Sequence, residues 1–247
     1  MTYMVRLPKK IDPCPIIEAV YEIRYKSLVP WEAVFGMIYT KVRELLPKIQ
    51  KLPILELPET IRSQDPNLRY QPYYELKQTD NVGLKVGPRV MTFSNTKPYQ
   101  GWTEWSTFIN TVLEQVQGSG VIKAVERIGL RYINLFDSNL LDQLNLSVVV
   151  NDKQILQETT SLRVELKDSA VLKILQIANN AGMIRDGKNV VESVIDIDCI
   201  RNFGPNDNYF VVHREVAADV HQKEKELFFG LLKTEFLAKL NPIYEES

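Results

Sequence analysis

Cysteine and histidine are scarce in this chain, with two of each among 247 residues. Cys14 and Cys199 stand far apart and belong to no CxxC or Cys/His cluster, so the sequence predicts neither a disulfide framework nor a structural zinc site. His213 and His221 fall near or on the last expected helix, roughly 80° apart around its axis. They have no third ligand close in sequence, and no serine or cysteine sits in a nucleophile elbow beside them. No run approaches the roughly 18 apolar residues of a membrane span, and Met1 to Lys10 lacks the apolar stretch of a secretion signal. Charge of one sign is also lacking. Thirty basic and thirty-one acidic residues give a net charge of -1, which argues against a surface devoted to neutralising phosphates. Gly83, Gly87 and Gly101 form no phosphate-cradling fingerprint. These absences leave a soluble chain in a reducing cytoplasm, without a membrane partner and with no cofactor implied.

What is present is ordinary for a globular protein: 25 % charged and 45 % hydrophobic residues. The length admits two halves of roughly 100 to 125 residues, each near the commonest domain size. In the first half Ile17, Ala19, Tyr21, Ile23 and Tyr25 alternate with Glu18, Val20, Glu22, Arg24 and Lys26, a period of two that predicts a strand. Trp31, Phe35, Ile38, Val42, Leu45 and Ile49 then recur at helical spacing after Pro30, with Pro47 a kink and Pro53 a stop. Prolines and glycines divide the next stretch into expected strands at Thr60–Gln64, Leu68–Gln78, Leu84–Val86 and Val90–Ser94. A second helix carries Trp102, Trp105, Phe108, Ile109, Val112 and Val116 and stops at Gly118.

The second half opens on a strand from about Ile122 to Leu135. A short helix is expected over Asp137 to Leu144, and strands over Leu146–Val150, Ser161–Lys167 and Val191–Ile200, the last preceded by an Asp186-Gly187 turn. Val171–Ala178 fits either a helical stripe or a strand. The strand is preferred, because a hairpin at Asp168-Ser169 would pair it with Leu162, Val164 and Leu166. A long helix runs to about Leu240.

Glu18 to Tyr25 and Glu126 to Tyr132 each open a unit with Glu, apolar residues and Arg-Tyr, and each unit closes on an amphipathic helix. The expected fold is therefore α+β, with duplicated β-α-β(4)-α units over residues 1–120 and 121–247. They would form one curved, mainly antiparallel sheet with helices on one face. That arrangement resembles the TATA-box-binding-protein-like architecture, and a helix-grip fold is the alternative. Three stretches carry a family resemblance: Pro15 to Val20, the block Glu126-Arg127-Ile128-Gly129-Leu130-Arg131-Tyr132-Ile133-Asn134, and a last helix in which His221 precedes Phe228 and Thr234. On these the chain resembles a sporadically distributed family of uncharacterised prokaryotic proteins, a resemblance that implies no established activity, substrate or cofactor.

By strand alternation, Glu18, Glu22, Arg24 and Lys26 should share the face opposite the helices with Lys123, Arg127 and Arg131. Arg163, Glu165 and Lys167 should join them, as should Glu192, Asp196 and Asp198. Such a face either pairs its own charges or binds a partner. The acidic trio could hold a hard cation only with ligands the sequence does not supply. Glu126 should fall on the opposite side, beside Ile128, Leu130 and Tyr132, and needs a salt bridge there. Gly129 should mark a bulge or a close approach. The aromatic residues from Tyr70 to Trp105 fit a core better than a base-stacking platform. The candidate binding residues are Arg24, Glu126, Arg127, Arg131, Asn134 and His221, with no catalytic or metal-binding residue. The expected function is a non-enzymatic, cytoplasmic binding or accessory protein that takes a protein partner or small polar ligand on the sheet face or in the cleft between halves. Nucleic acid on that face, self-association, and an enzyme built on Glu126, Arg127 and Arg131 are the alternatives.

Overall fold

The alternation around Tyr21 does form a strand, β1 (Ile16–Ser27), with Tyr21, Ile23 and Tyr25 wholly buried. The computed structural model describes residues 7–185 and 187–244, and only the backbone at 63, 183 and 185. Residues 1–6 of the N-terminal lead and Asp186 of the expected turn lie outside the described residues. After β1 come α1 (Trp31–Val42), β2 (Lys48–Lys51), α2 (Glu59–Gln64), β3 (Tyr74–Lys77), β4 (Val82–Val86), β5 (Val90–Thr96) and α3 (Trp102–Gln117). The second half contains β6 (Ile122–Phe136), β7 (Val148–Val150), β8 (Lys153–Ile155), β9 (Thr160–Asp168), β10 (Val171–Arg185), β11 (Lys188–Asn202), α4 (Tyr209–Leu231) and α5 (Thr234–Lys239).

Nine strands make one sheet in the order β2-β3-β4-β5-β1-β6-β11-β10-β9, and every neighbouring pair is antiparallel. β7 and β8 pair separately. The chain is thus α+β, built on a large antiparallel sheet. α3 touches both α1 and α4, and the apolar stripes of all three join the buried side of the sheet in one core. Buried phenols in that core are satisfied: Tyr21 and Tyr209 share a hydrogen bond of 3.1 Å, and Tyr25 Oη donates to Gly87 O at 2.8 Å. Val171–Ala178 lies in β10, paired through a hairpin with β9 as the strand reading required.

Several boundaries differ from the sequence expectation, each for a local reason. Thr60–Gln64 is helical, not extended: Pro58, with φ of -53°, is pre-set to enter a helix, and its carbonyl accepts from Ile61 N and Arg62 N. Only Tyr74–Lys77 of the stretch Leu68–Gln78 is a strand, because Asp65 caps a short 3₁₀ turn by accepting from Asn67 N. α1 stops at Val42, and the residues after Pro47 pair with β3 instead. Asp137 to Leu144 forms turns rather than a helix, since the side chain of Asn179 on β10 takes the amide of Leu140 at 2.7 Å. The last helix breaks after Leu231, where the amide of Asn145 bonds to Leu231 O and Leu144 forms a β-bridge with Leu232.

The bulge in β6 is at Glu126, not Gly129. Tyr25 opposes Val125 and Arg24 opposes Arg127, which leaves Glu126 as the extra residue. Its side chain consequently leaves the series Ile128, Leu130 and Tyr132 and pairs with Lys26 at 3.2 Å. A second irregularity takes Lys123 out of the alternation with Arg127 and Arg131. Gly129 serves close approach instead: a Cβ there would stand 3.1 Å from Asp198 Oδ1 and 3.6 Å from an Arg127 nitrogen. Gly129→Ala should therefore push Asp198 off Arg127 and lower stability by about 1–2 kcal/mol, read as a shift in the urea midpoint. An unchanged midpoint would show that the carboxylate has room to move.

Candidate functional site

The face opposite the helices carries the charges, and register places most of the expected residues together. Arg131 opposes Asp198, which opposes Ile174 and through it Glu165, while Asp196 opposes Gln176 and then Arg163. These charges are already paired. Arg24 binds Glu22 at 2.7 Å, Arg127 lies 3.5 Å from Glu22 and 3.6 Å from Asp198, and Arg131 grips Asp196 with two bonds of 2.8 and 2.5 Å. Gln176 Nε2 adds a third donor to Asp196 at 3.2 Å. The ring of Tyr70 covers Arg24 at 4.2 Å. Burial, opposed by Arg127, raises the Asp198 carboxyl to about 6. A face whose arginines are matched by carboxylates offers little free positive field for phosphates, and its acids already have donors in place of a cation.

A different set of groups converges on the helix side. A cavity of about 320 Å³ lies between α4, the start of α3, β6 and the N-terminal lead from Lys9 to Ile16. That is the small end of the range for ligand pockets. Tyr132, inward on β6, is 3.0 Å from Tyr99 Oη and 3.3 Å from His221 Nδ1. Trp102, the first residue of α3, stacks on the His221 ring at 4.1 Å and 12°. Asn134, two residues after Tyr132, is buried in the same wall and donates to Ile195 O at 3.3 Å.

Glu224 is the exceptional member of this lining. It is 6 % exposed, and among the described residues no hydrogen bond or ion pair reaches its carboxyl group. Burial pushes it up to about 8 even though the charge of Lys225 pulls the other way. Burial likewise pushes His221 down to about 3, with Lys225 adding to the effect. At neutral pH the cavity therefore presents a protonated acid, a neutral imidazole and two phenols whose ionisation is suppressed by burial. Such a lining suits recognition of a polar molecule with an apolar body.

The six residues singled out by sequence separate into three places. Asn134 and His221 line the cavity, Arg24, Arg127 and Arg131 lie on the charged face, and Glu126 pairs with Lys26 at the bulge. Sequence reasoning missed Glu224, Tyr99 and Tyr132 as site residues. The signal for Glu224 was available: the buried stripe of α4 runs Val216, Val220, Glu224, Phe228 and Leu231, so a glutamate occupies a position whose spacing demands an apolar residue. No described helix is long and apolar enough to cross a membrane. No protein-family model matches the chain, and no curated protein is significantly similar to it.

Proposed function

We propose that the chain is a non-enzymatic, cytoplasmic binding protein whose small polar ligand occupies the cavity between the two halves. The observation that carries this reading is Glu224, a buried carboxyl group on a cavity wall with no partner among the described residues. Its oxygens open onto the cavity, where a ligand can supply the partner that the described residues do not. The free, exposed thiol of Cys14 supports a reducing compartment. A thermal-shift screen of small polar compounds tests the reading. Stabilising compounds should lose their effect in both Glu224→Leu and Asn134→Leu and keep it in Arg24→Ala. Hits that survive both cavity variants and vanish in Arg24→Ala would move the site to the charged face.

The architectural part of the proposal is that the halves are two copies of one unit, in a TATA-box-binding-protein-like arrangement. Its support is the strand order, which is mirrored about the β1/β6 pair: β5 and β11 flank it, then β4 and β10, then β3 and β9. α3 and α4 close the two units, while the turns at 137–145 stand where a counterpart of α1 would be. Membership of the sporadically distributed prokaryotic family belongs to the same proposal. Its central block is β6, which supplies Tyr132 and Asn134 to the cavity and Arg127 and Arg131 to the opposite face.

A further inference from the structure

The cavity lining changes character from inside to rim. Its inner part contains Glu224, Tyr132 and Phe228, all buried, and the half-buried ring of Trp102, whereas Lys9 and Lys10, both exposed, stand at the rim. Among the described residues Asp12 offsets one of these two lysines, which leaves one positive charge of the pair. That charge opposes entry of a simple cation, because like charges closer than a Debye length repel even at an exposed rim. A simple anion held at the rim leaves the carboxyl of Glu224 without a cation beside it. A molecule that carries both charges together with an apolar part suits the whole lining.

We propose that the cavity binds a free amino acid, with its ammonium group at Glu224, its carboxylate toward Lys9 and Lys10, and its hydrocarbon part against Trp102 and Phe228. This rests on reading the cavity as the ligand site. The ammonium displaces the proton of Glu224 to solvent and supplies the carboxylate with a donor, in a charge-assisted bond that low local dielectric strengthens. The aromatic faces add attraction for the same cation. Lys9 and Lys10 are well placed to be varied, since the lead is held by main-chain bonds: Lys9 N and Lys10 N donate to Ile243 O, and Ile243 N donates to Lys10 O.

Calorimetry with leucine, aminocaproate, isoamylamine and isocaproate tests the assignment on wild type, Glu224→Gln and the double variant K9A/K10A, each checked for folding by circular dichroism. At least one of the two amino acids should bind wild type about tenfold more tightly than the amine or the acid alone. Glu224→Gln should weaken that binding about tenfold, and K9A/K10A should erase the preference over isoamylamine. Isocaproate binding as tightly as leucine, or amino-acid binding untouched by Glu224→Gln, would overturn the ammonium assignment and leave the cavity as a site for another ligand. If all four probes are inert while other compounds give hits lost in Glu224→Leu, the amino-acid class is wrong. If no compound of any class gives such a hit, the cavity reading fails with it.

Discussion

Glu224→Gln is expected to stabilise the free protein, and by more at pH 8 than at pH 5. The carboxyl ionises near 4.5 in the unfolded chain and is raised to about 8 in the fold. Between those values the folded state keeps a proton that the unfolded state has released, so wild-type stability falls as pH rises through the window and levels off above it. Each tenfold difference in proton affinity between the two states is worth roughly 1.4 kcal/mol, so the loss is on the order of 2–4 kcal/mol once water entering the cavity is allowed for. Glutamine has nearly the same shape and no titration, so the variant lacks this decline. His221 acts with the opposite sense. Its folded value of about 3 lies below the ordinary 6.5, so the unfolded state gains a proton first as pH falls and stability drops from about 6.5 downward. His221→Gln should flatten that acid limb. Urea midpoints from pH 4 to pH 9 give the comparison, and parallel curves for wild type and Glu224→Gln would show that the carboxyl is solvated or already partnered.

Arg131→Met should destabilise the protein by about 3 kcal/mol at neutral pH. Asp196 is 7 % exposed and receives two of its three side-chain bonds from Arg131, so the variant strands a buried carboxylate with Gln176 alone. The arginine itself is 42 % exposed, which keeps the figure at the low end for a broken buried pair. Much of the effect is the penalty on the orphaned acid, not the value of the pair. R131M/D196N should accordingly recover most of the loss. A double-mutant cycle in urea measures the loss and the recovery. A loss in the single variant below about half a kcal/mol would mean that water screens the pair.

Periodicity carried most of the fold. The period-two run at Tyr21 and the stripe of α3 depend on local burial alone, and both appear where the residues predict them, whereas the last helix starts as expected but ends at Leu231. What was illegible depends on partners remote in sequence. Asp137 to Leu144 has helical composition, yet its amide at Leu140 is taken by Asn179, about forty residues later, and no local pattern announces that. The bulge at Glu126 is likewise a property of the β1/β6 pair, and Gly129 drew attention only because glycine is the residue that bulges favour. The site was half legible. His221 and Asn134 were picked out with a block of charged residues that lies across the sheet from them, because β6 feeds both faces at alternate positions. Glu224 was overlooked because a glutamate in a long charged helix reads as surface until the stripe is counted.

The lead, which forms one wall of the cavity, is stitched to the segment after α5 by main-chain bonds between Lys9, Lys10 and Ile243, by Asp12 N to Leu240 O, and by Asn241 Nδ2 to Asp12 O at 2.9 Å. None of these bonds belongs to the nine-stranded sheet. Release of this seam is a local unfolding event, with a free energy far below that of the core. Opening the seam therefore frees the lead from the segment after α5 without unpairing any strand of the sheet.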